Sequence, residues 1–155
     1  MGGFDDFAAE VRAMAAEADD ELEKTCRHAV SAAVAAAKST ALSTKKYQDR
    51  TGDLTKSIHG HITASGKTWA TGVFEATSEH AVFVDEGTKA HVIRPKAGKY
   101  LAFPGKSGGT VFAREVNHPG TKPDGFFERG IEAAVKVLDA EVEAGLGRIH
   151  YLIIR

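Results

Sequence analysis

The chain has 155 residues, of which 43% are hydrophobic and 26% are charged, and its formal net charge is −1 at pH 7. This composition predicts one folded domain with an appended element; it excludes wholesale disorder, and no run of 18 apolar residues predicts a membrane span. The single cysteine, Cys26, excludes a disulfide framework and favours a reducing compartment.

The first part of the chain predicts one long amphipathic helix over residues 4–42. Apolar residues recur there every three or four positions without Gly or Pro, and the many alanines favour a helix. Such a helix is about 60 Å long, which exceeds what a domain of this size covers, so we expect part of it to pack on another subunit. The alternative is a helical hairpin that turns near Asp19 and Asp20. We divide the chain into an N-terminal helical element, residues 1–44, and an α+β core domain, residues 45–155.

Charge is distributed unevenly along the chain. Residues 1–24 carry eight acidic residues against two basic ones, whereas the charged residues between Lys38 and Lys106 are mostly basic. An acidic end on a basic body favours self-association or a charged partner over free nucleic-acid binding.

The rest of the chain predicts a β-rich core followed by a second helix. A polar linker at 45–53 precedes a region in which the hydrophobic period is two, with strands predicted at 57–63, 68–75, 80–85, 91–94, 100–103 and 110–116. A second helix is expected from Phe126 to about Leu146, ended by Gly145 and Gly147. The predicted class is α+β: a long N-terminal helix, an antiparallel sheet or sandwich of about six strands, a C-terminal helix packed on the sheet, and an apolar terminal strand at 149–154.

A histidine cluster is the strongest candidate for chemistry. His59 and His61 share one face of a predicted strand, and His80, with Asp85, could complete a site for zinc or another divalent metal. The spacings match no standard metal site, so a metal-dependent hydrolase is kept only as the alternative function. His91 and His118 are further possible ligands.

Two other patterns are weaker. Gly105-Lys106-Ser107 lacks the upstream glycine and the following helix of a phosphate-binding loop, so nucleotide binding is rejected. Asp85 and Glu86 point to opposite faces of a predicted strand, and a salt bridge to Lys89 or Arg94 is the expected role. The basic residues of the middle region could meet nucleic acid, but only Trp69 and Tyr100 are placed to stack on bases.

Three phrases carry a family resemblance. They are Arg50-Thr51-Gly52-Asp53-Leu54-Thr55-Lys56-Ser57-Ile58, His80-Ala81-Val82-Phe83-Val84-Asp85-Glu86-Gly87-Thr88, and Pro119-Gly120-Thr121-Lys122-Pro123-Asp124-Gly125-Phe126. Together, over residues 45–135, they resemble the tail-completion or head–tail joining (neck) minor tail proteins of long-tailed bacteriophages. The N-terminal helix is acidic here where that of the family is basic, and His80 stands where an aromatic residue is usual.

The resemblance implies a structural virion protein that is not an enzyme and has no catalytic residue, metal or cofactor. It implies a homo-oligomeric ring, expected to be a hexamer, in the neck or at the head-proximal end of the tail, assembled in the host cytoplasm. The implied partners are connector or stopper proteins, the tail terminator and the tail tube, with no membrane and no specific nucleic-acid contact. Loops Thr88–Arg94 and Lys96–Gly109 are expected to face a neighbour or the lumen. The expected interface residues are Phe4, Phe7, Val11, Asp19, Asp20, Thr88, Lys89, His91, Arg94, Lys96, Lys106, Tyr151 and Ile153.

Overall fold

The computed structural model describes residues 3–49, 51–105 and 108–154, and within them the chain forms helices and strands in the predicted α+β arrangement. The helices are α1 (Gly3–Ser43), α2 (Asp53–Ser57), α3 (Ala81–Asp85) and α4 (Phe126–Ile154). The strands are β1 (Ile58–Gly66), β2 (Trp69–Ala76), β3 (His91–Ile93), β4 (Leu101–Pro104), β5 (Thr110–Ala113) and β6 (Val116–His118). They form three antiparallel pairs, β1–β2, β3–β6 and β4–β5. The predicted fold class is confirmed.

Helix α1 is continuous, so the alternative of a hairpin near Asp19 and Asp20 is wrong. Helix α4 runs antiparallel along it. Arg148 Nε donates to Glu21 Oε1 at 2.5 Å near one end of the pair, and Arg129 Nε donates to Thr44 Oγ1 at 2.9 Å near the other. The long C-terminal helix therefore packs chiefly against α1, and its first turn reaches the sheet.

Small residues bring the two long helices together. The buried face of α1 consists of residues spaced four apart, namely Thr25, Ala29, Ala33, Ala37 and Ala41. Gly130 and Gly145 are buried on the facing side of α4. A Cβ on Gly130 would lie 2.9 Å from the Ala37 carbonyl oxygen, so the helix backbones meet almost without intervening side chains.

The β1–β2 hairpin lies across the middle of α1. A Cβ on Gly60 would fall 2.3 Å from Val34 Cγ1, and one on Gly72 would fall 2.7 Å from Val30 Cγ1. These two strand glycines let the hairpin approach the valines of α1 closely, which is a frequent reason for glycine inside a strand.

The best-packed apolar core lies where α1 ends. Its buried members are Ala41, Leu54, Ile58, Ala81 and Phe126. Phe74 of β2 stacks on Phe127 of α4 with ring centroids 4.7 Å apart. This cluster joins both long helices, the β1–β2 hairpin and α3 at one end of the molecule.

The strand predicted at 80–85 is wrong, because residues 81–85 form the helix α3. Ala81 is buried and Val84 packs on the core three positions later, which is helical spacing, while Val82 and Phe83 are exposed. A run of six residues is too short for its period to separate a strand from a helical turn. Asp53, predicted to end the polar linker, and Ser57, predicted to begin the first strand, are instead the two ends of the short helix α2.

The predicted terminal strand at 149–154 is also wrong. Helix α4 passes through Gly145 and Gly147 and continues to Ile154. Ile149 and Leu152 are half-buried three positions apart, so they continue the helical face. Neither glycine ends the helix. No helix in the described ranges carries an apolar stretch long enough to cross a bilayer.

Candidate interaction surfaces

The three sequence phrases meet around the start of α4. Thr88 and Thr121 form an antiparallel bridge, with N–H to O distances of 3.1 and 3.0 Å. The backbone N–H of Asp124 donates to Val84 O at 3.0 Å, and that of Gly125 donates to Asp85 O at 3.1 Å. The second and third phrases are therefore held together by backbone hydrogen bonds. Arg50, from the first phrase, lies outside the described residues.

Two glycines in these phrases are required by the bridge. Gly87 and Gly120 have φ of 73° and 88°, in the left-handed region. A Cβ on Gly87 would lie 2.5 Å from Thr121 O, and one on Gly120 would lie 2.2 Å from Thr88 O. A side chain at either position would separate the two threonines.

Asp85 caps helix α4. Its Oδ1 accepts a hydrogen bond from the Phe127 backbone N–H at 2.9 Å, which satisfies one of the free donors of the first turn. The expected salt bridge from this acidic pair to Lys89 or Arg94 is wrong for Arg94, which pairs with Glu115 at 3.3 Å. Asp85 therefore has a structural role, because its carboxylate is already hydrogen-bonded to the first turn of α4.

Asp124 and Arg129 tie the end of α1 to the start of α4. Asp124 is buried, and its Oδ1 lies 2.6 Å from Arg129 Nη2. Its Oδ2 accepts from the Lys46 backbone N–H at 2.7 Å, and Arg129 Nη2 also donates to Thr44 O at 3.0 Å. Both partners of the ion pair are thus hydrogen-bonded further, as a buried pair requires.

The pKa values of Asp49 and Tyr47 are shifted from their usual ranges. The Thr55 hydroxyl, then the Thr55 backbone N–H, which donates to Asp49 Oδ2 at 2.7 Å, lower the pKa of Asp49 below its usual range. Burial raises the pKa of Tyr47 above its usual range. Neither shift marks catalytic chemistry, because Asp49 caps α2 and the Tyr47 ring packs on Phe126 with centroids 5.7 Å apart.

An open groove of about 1270 Å³ lies beside α3, and we call it the α3 groove. Its lining includes Val82 and Phe83, which are 58% and 59% exposed. Lysines and histidines also line it, namely Lys46, Lys89, Lys122, His80, His91 and His118. The groove is larger than the 300–1,000 Å³ of typical small-molecule sites.

The structure does not assemble the histidine cluster of the alternative function. His59 and His61 are exposed on β1, His80 lines the α3 groove, and Asp85 Oδ1 is bound to the Phe127 N–H. His91 and His118 do come together, with ring centroids 5.1 Å apart. Over 3–49, 51–105 and 108–154, no three His, Cys, Asp or Glu side chains lie close enough to hold a metal ion.

The start of α1 extends beyond its partner helix. Arg148 lies opposite Glu21; α4 ends six residues later, at Ile154, whereas α1 continues for eighteen residues back to Gly3. We call residues 3–14 the α1 overhang. Phe4, Phe7 and Val11 in it are 82%, 61% and 47% exposed. The predicted uncovered apolar surface of the long helix is therefore present.

The other predicted interface residues fall into separate regions. Asp19 and Asp20 are exposed on α1, and Tyr151 and Ile153 are exposed in the last turns of α4. Thr88, Lys89 and His91 line the α3 groove. Arg94 and Lys96 are exposed between β3 and β4, and Lys106 lies outside the described residues.

Sequence reasoning missed Val82 and Phe83 as surface residues, because it assigned them to a strand. Lys46 and Lys122 were also missing from the expected interface. Residues 81–84 are all apolar, so the sequence carried no signal that Ala81 and Val84 face inward while Val82 and Phe83 face outward.

The molecule exposes far more surface than a compact chain of its size. Its accessible area is 11199 Å², whereas a compact monomer of 16.5 kDa exposes about 7,500 Å². Large apolar side chains contribute to this surface on the α1 overhang, in the α3 groove, on the β4–β5 hairpin and at the end of α4.

Comparisons with known proteins found no matching family model, no matching curated protein and no matching solved structure.

Proposed function

We propose that this chain is a structural, non-enzymatic subunit of a ring in the neck or head-proximal tail of a tailed-phage virion. There it would complete the tail and join it to the head. The exposed apolar side chains carry the proposal: Phe4 and Phe7 on the α1 overhang and Val82 and Phe83 in the α3 groove are each more than half exposed, and clustered exposed apolar residues mark interaction sites. A catalytic or small-molecule role does not account for such surfaces.

The placement in a phage tail is supported by the resemblance of the three phrases. They form the frame that holds the start of α4, through the Thr88–Thr121 bridge and the Asp85 cap. A resemblance that falls on structurally required turns, caps and glycines speaks for a shared framework rather than a shared catalytic site. The expected neighbours are further copies of this chain, a connector or stopper, the tail terminator and the tail tube.

The decisive experiment is to locate the chain in purified particles of the virus that encodes it. Quantitative mass spectrometry of virions is expected to find several copies per particle, enriched in tails or necks relative to isolated heads. A stop codon in the gene is expected to give separate heads and tails, and a plasmid copy is expected to restore joined particles. Normal joined virions without this chain would refute the proposal.

A further inference from the structure

The α1 overhang has the features of a helix that binds in a groove. Its apolar residues Phe4, Phe7 and Val11 occupy one stripe at three- and four-residue spacing. The same segment carries three acidic side chains, Asp5, Asp6 and Glu10, against a single basic one, Arg12. It therefore combines an apolar stripe with a net negative charge.

The α3 groove has the complementary pattern. Its lining combines the exposed apolar side chains of Val82 and Phe83 with three lysines, Lys46, Lys89 and Lys122. Two acidic residues also line it, Glu86 and Asp124, but the Asp124 carboxylate is already bound to Arg129 at 2.6 Å. The free charge around the groove is thus mainly positive, opposite to that of the overhang.

The overhang cannot reach the groove of its own chain. Helix α1 is continuous from Gly3 to Ser43, and Lys46 of the groove follows directly after it. About 50 Å of rigid helix therefore separates Phe7 from the groove. Only another molecule can supply an overhang to this groove.

We infer that the α1 overhang of one copy of this chain binds in the α3 groove of the next copy. This rests on the proposed ring function and names the surfaces that connect its subunits. Because the two surfaces differ, the contact is head-to-tail, and repetition closes a ring when the rotation between copies permits.

Complementary variants test this contact in the purified full chain. The overhang variant is Phe4→Asp with Phe7→Asp, and the groove variant is Phe83→Asp. Native mass spectrometry is expected to find a multimer of the 16.5 kDa wild-type chain and single chains for each variant. An equimolar mixture of the variants is expected to give a two-chain species and nothing larger, because one intact overhang and one intact groove remain.

Matched controls separate loss of the contact from loss of folding. Phe112→Asp removes an aromatic ring that is 68% exposed on β5, outside both surfaces, and is expected to leave the multimer unchanged. Circular dichroism is expected to show the same helix content in all variants. Should Phe83→Asp fail to fold, Lys89→Glu with Lys122→Glu replaces it, and Asp5→Lys with Asp6→Lys on the other chain is expected to restore pairing.

Three results would overturn the inference: a wild-type chain that stays single at its highest soluble concentration, variants that keep the wild-type multimer, or a mixture without the two-chain species. A multimer that survives both variants leaves the ring proposal standing and rejects this contact. If the mixture gives the two-chain species but the protein is absent from virions, the contact stands and the proposed virion function is rejected.

Discussion

Thr25 and Gly145 face each other so closely that a Cβ on Gly145 would lie 2.0 Å from Thr25 Cγ2 and 2.4 Å from its Oγ1. Both residues are buried between α1 and α4. Gly145 thus lies inside α4 because the neighbouring helix leaves no room for a side chain, although glycine is a poor helix former.

Replacing Gly145 by alanine is expected to destabilise the protein. The added methyl group overlaps the buried Thr25 side chain and forces the helices apart, which costs about 1–3 kcal/mol of unfolding free energy. Urea unfolding followed by circular dichroism measures this. Gly147→Ala, two positions away with nothing within 4 Å of its Cβ, is the control and should be neutral or more stable by up to about 1 kcal/mol. Equal effects at both glycines would contradict the packing described.

The Asp124–Arg129 pair is expected to matter far more than the exposed pair of Arg94 and Glu115. Arg129→Met leaves the carboxylate of Asp124, 4% exposed, buried without its charged partner, at a cost of about 3–5 kcal/mol. Arg94→Met breaks a pair whose side chains are 73% and 54% exposed, and it should cost less than about 1 kcal/mol. Denaturant unfolding of both variants makes the comparison, and a similar loss for the two would count against the buried clamp.

The Asp85 cap predicts a loss of stability at the start of α4. Asp85→Ala removes the acceptor for the Phe127 N–H and should cost about 0.5–2 kcal/mol. The adjacent Glu86→Ala changes an exposed side chain and should stay within about 0.5 kcal/mol of wild type. Hydrogen exchange at Phe127 checks the mechanism, because faster exchange is expected only in the Asp85 variant.

The lowered pKa of Asp49 predicts a stability contribution that depends on pH. A carboxylate whose folded pKa lies below its usual 3.8 stabilises the fold above that pH. The contribution falls as pH drops through the folded pKa. The stability difference between wild type and Asp49→Asn should therefore be constant above about pH 5 and shrink toward pH 2.

Thr55→Val supplies the matching measurement for this site. It removes the hydroxyl that lowers the pKa of Asp49 most, so the Asp49 titration followed by NMR should shift toward 3.8. An unchanged titration would show that the remaining groups, namely the backbone N–H groups of Thr55 and Gly52 and the charge of Lys45, set the pKa.

The hydrophobic periodicity of the sequence correctly predicted α1 and the β1–β2 hairpin. The 41-residue α1 was predictable because its apolar period and alanine content persist over many turns. The β1–β2 hairpin was predictable because two alternating segments flank Ser65-Gly66-Lys67, although β1 extends to Gly66 and pairs it with Trp69, so the turn itself lies at 67–68. The uncovered apolar stripe of Phe4, Phe7 and Val11 followed from length alone, since no domain of this size covers so long a helix.

Short or ambiguous segments were predicted wrongly for an identifiable reason. Six residues at 80–85 and six at 149–154 contain too few positions to distinguish a period of two from one of 3.6. Gly145 lies inside a helix and packs on Thr25, and Val84 faces inward because it packs on the core. These contacts are with residues far away in the sequence, so the pattern of neighbouring residues does not predict them.

The sequence by itself predicted the α+β class, a long N-terminal helix with more apolar surface than the domain can cover, and the acidic start and basic middle of the chain, because each depends on residue type and spacing within one segment. Only the tertiary structure decided that His80, Phe83, Lys46 and Lys122 share one groove, and that Asp85 caps a helix that begins at Phe126. Such groupings form only when segments distant in the sequence pack together, because burial and hydrogen-bond geometry depend on both segments.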